Sequence, residues 1–114
     1  MTEKFLAFLK SYGYPVRLLG YLLDTDEDFD TAILWEEVST QDAVEADNQS
    51  HAIIYEWNVY IIAQDITDTL SLAKKIKKDS LSKPFRMDGL GKGYSIPNTN
   101  FYGRRVKFLA LERI

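Results

Sequence analysis

One segment, residues 51–64, alternates so regularly that it restricts the fold more than any other part of the sequence. Its odd-numbered positions are apolar, whereas Glu56 and Asn58 interrupt the even-numbered ones. Side chains of a β-strand point alternately to the two faces of a sheet, so this pattern predicts a strand with one well-buried face. The apolar odd positions are Ile53, Tyr55, Trp57, Val59, Ile61 and Ala63.

Two other segments have the spacing of amphipathic helices. Apolar residues of 3–12 recur on one side, and Gly13 with a following proline ends this helix. The second helix begins after Asp65, whose carboxylate can accept a free backbone N–H, and runs to about Asp79 or Ser80. Its predicted buried stripe is Ile66, Leu70, Ala73 and Ile76.

The rest of the chain is predicted to form strands and loops. The predicted strands and extended segments are 16–23, 32–38, 51–64 and 101–112. The predicted loops are 24–30, 40–50 and 82–100. The resulting order, α-β-β-β-α-β, predicts an α+β fold in which a small antiparallel or mixed sheet packs against two helices. We expect a single domain spanning residues 1–114.

Residue types that carry catalysis or bind metals are scarce. The chain has no cysteine and one histidine, His51, which excludes disulfides, thiolate sites and histidine clusters within one chain. No apolar run reaches the ~20 residues that span a bilayer, and the first residues lack the layout of a signal peptide. We therefore expect a soluble protein made in the cytoplasm, with no cofactor, no metal and no membrane.

Several patterns resemble functional motifs but fail on their spacing. The glycine-rich run 89–93 lacks the Ser or Thr of a phosphate-binding loop and leads into a strand rather than a helix. The alternating aspartates of 24–30 lack the glycine and glutamate of a calcium loop. His51 has no serine in a nucleophile elbow, and Glu36 and Glu37 point to opposite faces of a strand. The sequence therefore predicts a protein that is not an enzyme.

Charge is divided by sign along the chain. Residues 18–73 contain thirteen acidic residues and no basic one, whereas 74–114 contain eleven basic and three acidic residues. The two stretches could lie side by side in one sheet and neutralise each other. They could instead form oppositely charged faces that attract neighbouring subunits head to tail. With a net charge of −3, the whole chain is too acidic to bind nucleic acid.

Several segments of the sequence follow one another in a recognisable order. An amphipathic helix ends in Gly13-Tyr14-Pro15-Val16, and the strand Ile33-Leu34-Trp35-Glu36-Glu37-Val38 precedes an acidic loop. The aromatic strand 52–62, one helix and a glycine-rich loop follow, before the closing strand Tyr102-Gly103-Arg104-Arg105-Val106-Lys107-Phe108. This layout resembles the tail terminator (tail-completion) proteins of long-tailed phages with non-contractile tails.

The resemblance implies a structural role in the virion tail, after assembly in the host cytoplasm. Such a protein forms a ring, expected to be a hexamer, that ends polymerisation of the tail-tube protein and joins the tail to the head connector. DNA passes through the ring without being bound, so an acidic region could line the lumen and repel it. The family has no catalytic residues.

Candidate contact residues follow from the charge division. The basic candidates are Arg86, Lys92, Arg104, Arg105 and Lys107, and the acidic ones are Asp24, Asp26, Glu27 and Asp28. Reversing Arg104 and Arg105 to glutamate is expected to weaken assembly but to leave the monomer folded. Two alternatives remain open: a small non-phage binding or adaptor module with a ferredoxin-like sheet, or another phage neck or tail-tube component.

Overall fold

A computed structural model describes residues 1–20, 29–44 and 51–113, and it has the α+β class that the sequence predicts. The helices are α1 (Thr2–Lys10) and α2 (Ile66–Ser80). The strands are β1 (Val16–Leu18), β2 (Thr31–Val44), β3 (His51–Ala63), β4 (Phe85–Ser95) and β5 (Tyr102–Arg113). In the described residues, neither helix is long and apolar enough to cross a membrane.

The strands form one mixed sheet in the order β1-β2-β3-β5-β4. The short β1 runs parallel to β2, and every other neighbouring pair is antiparallel. Both helices contribute to a single apolar cluster with one face of the sheet, which we call the inner face. The opposite face, which neither helix covers, is called the outer face.

The alternation of β3 produces the inner face as predicted. Trp57, Val59 and Ile61 are all fully buried against the helices. The ring of Phe5 from α1 stacks on Trp57, with ring centroids 4.2 Å apart. Trp57 Nε1 has no hydrogen-bond partner among the described residues. A buried donor without a partner is costly, so the burial and packing of the whole indole ring must offset that loss.

Helix α2 begins as predicted and buries part of the predicted stripe, Ala73 and Ile76. Asp65 caps it by accepting a hydrogen bond of 2.9 Å from the backbone N–H of Thr67, and this bond lowers the pKa of the Asp65 carboxyl. The predicted stripe is wrong at Ile66, which is 39% exposed, and Leu70 is only half-buried. The buried residues are Thr69, Leu72, Ala73, Ile76 and Ser80. Besides β3 and β5, α2 packs against β4, a strand that the sequence did not predict, so the buried side of the helix is shifted from the predicted one.

The predicted loop at 82–100 is wrong, because most of it is β4. Phe85 and Met87 alternate onto the inner face, where both are buried, and this burial holds the strand against β5. A bulge between Asp88 and Lys92 accommodates the glycine-rich run. The loop predicted for residues 40–50 begins too early, since β2 continues to Val44 in register with β3. Pairing with a strongly apolar partner has overridden a polar local sequence.

The β4 bulge depends on glycine at a defined point. Gly91 has a φ of +68°, a region that L-residues rarely adopt. A Cβ at this position would stand 2.0 Å from the carbonyl oxygen of Arg105. The backbone of β4 therefore approaches β5 more closely than any side chain would allow.

Candidate assembly surface

The predicted contact residues do not form one surface. The acidic candidates Asp24, Asp26, Glu27 and Asp28 lie outside the described residues. The basic candidates lie on β4 and β5, where three of the five interact with other parts of the same chain.

Arg104 is an internal residue. It lies on the inner face and is only 8% exposed. Its Nε donates to the hydroxyl of Thr69 at 3.3 Å, and its Nη1 donates to the carbonyls of Leu90 and Gly91 at 3.3 and 3.2 Å. Arg104 thus fastens the β4 bulge to α2, and it is not available as an exposed contact.

These contacts argue against the expectation that a chain with Arg104 and Arg105 reversed to glutamate would stay folded, because Arg104 is an internal residue. A glutamate here would place a carboxylate beside two carbonyl oxygens that would lose their guanidinium donor. Burying such a charge without a partner is strongly unfavourable.

Arg86 and Lys107 are also engaged within the chain. Arg86 Nη1 donates to the carbonyl of Ser80 at 2.9 Å and to that of Lys83, at the end of α2. Lys107 on β5 lies 3.1 Å from a carboxylate oxygen of Glu56 on β3. On the outer face, the acidic and basic stretches therefore neutralise each other in part, as the first of the two charge hypotheses predicted.

Lys92 and Arg105 remain as an exposed basic pair. They are cross-strand neighbours on the outer face, and neither forms a salt bridge with a described residue. Nearby, Tyr60 donates a hydrogen bond of 2.7 Å to Glu36. Burial raises the pKa of the Tyr60 hydroxyl, and the bond to Glu36 raises it further, while Arg105 lowers it.

The outer face is apolar at both ends. Ile54, Leu109 and Leu111 are 39%, 39% and 48% exposed at one end. At the other end a cavity of about 400 Å³ is lined by outer-face and loop residues. The apolar side chains of this lining are Phe29, Leu34, Tyr60, Ile62, Tyr94, Ile96 and Phe101. Large exposed apolar areas of this kind often mark contact surfaces.

The largest unpaired positive charge lies on the helices instead. The segments 1–10 and 66–83 carry seven lysines and three acidic residues. None of these lysines forms a salt bridge with any residue that the structure describes, although Lys75 lies over the ring of Tyr12 at 5.6 Å. The lysines of α2 were not among the contact residues predicted from the sequence, because only the fold places Lys4 and Lys83 beside them.

A groove runs beside this group of lysines, and we call it the lysine groove. It lies between α1 and the connection from α2 to β4, and it has a volume of about 940 Å³. Phe8, Pro84 and Phe85 supply apolar lining, and Leu81 is 65% exposed at its edge. The lysines that line it are Lys4, Lys78 and Lys83.

An acidic strand edge lies on β2, towards the edge of the sheet opposite to β4. β1 pairs only with Ile33–Trp35 of β2, so no described strand covers the edge of β2 beyond Trp35. That part of β2 carries Glu37 and Asp42, both exposed, and Val38, which is 46% exposed. A sheet edge leaves backbone N–H and C=O groups free to pair with another chain. We call this stretch, residues 37–42, the acidic edge.

No constellation typical of a metal site occurs in the part of the chain that the structure describes. No three His, Asp or Glu residues there come together in a way that could hold a metal ion. The side chain of His51 lies outside the described set. No family model matches this chain, and no curated protein has a matching sequence.

Proposed function

We propose that this chain is a structural protein that assembles head to tail with copies of itself, as the tail terminator of a long-tailed, non-contractile phage. The observation that carries the proposal is that the lysine groove lies beside the β4 edge of the sheet, whereas the acidic edge lies on β2, towards the opposite edge. Two different, complementary surfaces on one chain generate rings or open helices, whereas a self-complementary surface generates a closed dimer. The layout of helices and strands in the sequence supports the narrower assignment to a terminator.

In this role the ring stops addition of tail-tube subunits and offers its other side to the head connector. We expect six copies in the ring, with DNA passing through the centre and binding no particular residue. The acidic stretch of the chain, residues 18–73, suits a lumen that repels the phosphate backbone. The protein needs no catalytic group, cofactor or metal for this work.

The proposal has two separate tests. A native mass spectrum of the full chain should show a closed oligomer, with six copies as the expected number. In a phage whose copy of this gene carries an early stop codon, electron micrographs should show tails of uncontrolled length that are not joined to heads. Tails of normal length on joined particles would overturn the terminator assignment. A chain that stays monomeric at every concentration and also on isolated tail tubes would favour a binding module instead.

A further inference from the structure

We propose that the lysine groove of one copy receives the acidic edge of the next copy. This inference rests on the self-assembly in the proposed function and identifies the two surfaces that make the contact. It differs from the contact expected from the sequence, which used basic residues that the structure places on β4 and β5. Of that set, Arg86, Arg104 and Lys107 are already bound within the chain.

The groove is suited to an acidic segment with an apolar side chain. Lys4, Lys78 and Lys83 line it together with one carboxylate, Asp79, which accepts a hydrogen bond from Tyr12. None of the three lysines forms a salt bridge with a described residue. Leu81, 65% exposed, adds an apolar surface that water covers in the isolated chain. Burying such a side chain contributes roughly 25 cal/mol for each Å² removed from water. A partner therefore gains both charge pairing and apolar burial here.

The acidic edge offers the matching chemistry. Glu37 and Asp42 supply negative charge, and the exposed Val38 lies between them in sequence. A bulge between Glu37 and Ser39 interrupts the regular pairing of β2 with β3 at this point. Bulges often occur at sheet edges, where they change the direction of a side chain. The edge thus offers carboxylates to the lysines of the groove and an apolar side chain to its apolar lining.

The positions of the two surfaces favour head-to-tail assembly. The groove includes Phe85, the first residue of β4, whereas the acidic edge belongs to β2. In the sheet order β1-β2-β3-β5-β4, these two strands are separated by β3 and β5. One copy can therefore fill its neighbour's groove while a third copy fills its own, which is the condition for a ring.

Charge reversal on each surface tests the inference on the full-length chain. The groove variant carries Lys4→Glu and Lys83→Glu, and the edge variant carries Glu37→Lys and Asp42→Lys. All four residues are exposed, so both variants should keep the circular dichroism spectrum of the wild type. In sedimentation velocity, each variant alone should require at least about tenfold more protein than the wild type to assemble.

Mixing the two variants gives the sharper result. The groove variant then has two acidic surfaces and the edge variant two basic ones, so they can only alternate. A 1:1 mixture should recover oligomers with an even number of copies in the native mass spectrum. A matched control, Lys92→Glu with Arg105→Glu, makes the same charge change as the groove variant on the outer face, and it should assemble like the wild type.

The outcomes separate this inference from the proposed function. If the groove variant assembles like the wild type, or if the mixture recovers nothing, the groove contact is wrong while ring assembly stands. If the outer-face control alone prevents assembly, the contact lies on the outer face and the inference is overturned. If the wild type itself stays monomeric, both proposals are overturned. Normal tails in the phage with the stop codon would remove the terminator role but leave the groove contact intact.

Discussion

At the scale of single residues, the tyrosines show how burial and carboxylates combine. Tyr12 follows α1 and donates a hydrogen bond of 2.6 Å to Asp79 near the end of α2, so it links the two helices. Burial raises the pKa of the Tyr12 hydroxyl, and both the bond to Asp79 and its negative charge raise it further. The folded chain therefore holds this proton more tightly than the unfolded chain does.

We predict that Tyr12→Phe makes stability less sensitive to alkaline pH. Below the ordinary tyrosine pKa of 10.0 both states keep the proton, so its contribution to stability is fully present. As pH rises above that value, the unfolded chain ionises first and the wild type loses stability. Melting temperatures between pH 8 and 11.5 should fall less steeply for the variant than for the wild type.

Tyr14→Phe is the control for this measurement. Tyr14 is 40% exposed, and its hydroxyl has no hydrogen-bond partner within the described residues. The variant should keep the alkaline slope of the wild type. Equal slopes for Tyr12→Phe and the wild type would show that the bond to Asp79 does not form in solution.

Arg104 shows the limit of sequence reasoning for a single residue. The division of charge along the chain made it a predicted contact residue. Its acceptors could not be predicted, because Leu90 and Gly91 belong to a bulge that exists only once β4 pairs with β5. An internal arginine was therefore predicted to be an exposed contact, because its partners are distant in sequence.

At the scale of elements, helices and strands with a strong local sequence pattern were predicted correctly, and a strand that depends on tertiary pairing was not. β3 and α2 were predicted nearly to their ends, because the apolar alternation and the Asp65 cap depend only on residues that are close together in the sequence. β4 was missed because five of its residues, Gly89-Leu90-Gly91-Lys92-Gly93, have the composition of a loop. Its pairing with β5 provides the stability that its own sequence does not.

The β4 bulge yields a prediction with its own matched control. Gly91→Ala should lower the free energy of unfolding by more than about 2 kcal/mol, because a positive φ is strained and the new Cβ would collide with the Arg105 carbonyl. Gly89 also has a positive φ, +74°, but a Cβ there would meet no atom of the described chain within 4 Å. Gly89→Ala should therefore cost only about 1 kcal/mol.

Urea unfolding followed by tryptophan fluorescence measures both variants. Losses of equal size would mean that backbone strain alone explains the need for glycine in this segment. The close approach of β4 to β5 at the bulge would then be incorrect.

At the scale of the whole molecule, the sequence predicted that charge is separated but not where the charges would be displayed. The basic strand β5 lies beside the acidic β3, so part of its charge is neutralised by Glu56. Lys4 and Lys83 are almost eighty residues apart in the chain, and only the packing of α1 near the end of α2 brings them to one groove. A count of charges along the sequence cannot detect such a cluster.

Because the proposed contact joins exposed charges, its strength should depend on salt. The screening length falls from about 10 Å at 0.1 M salt to about 3 Å at 1 M. Raising sodium chloride from 0.05 to 0.5 M should shift the wild-type oligomer towards monomer in sedimentation velocity. An oligomer that is unchanged, or that grows, over this range would indicate a contact dominated by apolar surface such as Ile54, Leu109 and Leu111.

β4 does not extend along the whole of β5, and this difference in length is expected to affect how the sheet deforms. Phe85 pairs with Ala110, so beyond this point only β2, β3 and β5 continue, and no described strand accompanies them on that side. The molecule extends 52 Å along its longest axis, whereas a helix of α2's fifteen residues reaches only about 22 Å. We therefore expect the sheet to be stiffer where the helices cover it than at its three-stranded tip. Such a tip is expected to adapt its twist to a neighbouring surface while the aromatic interior keeps its packing.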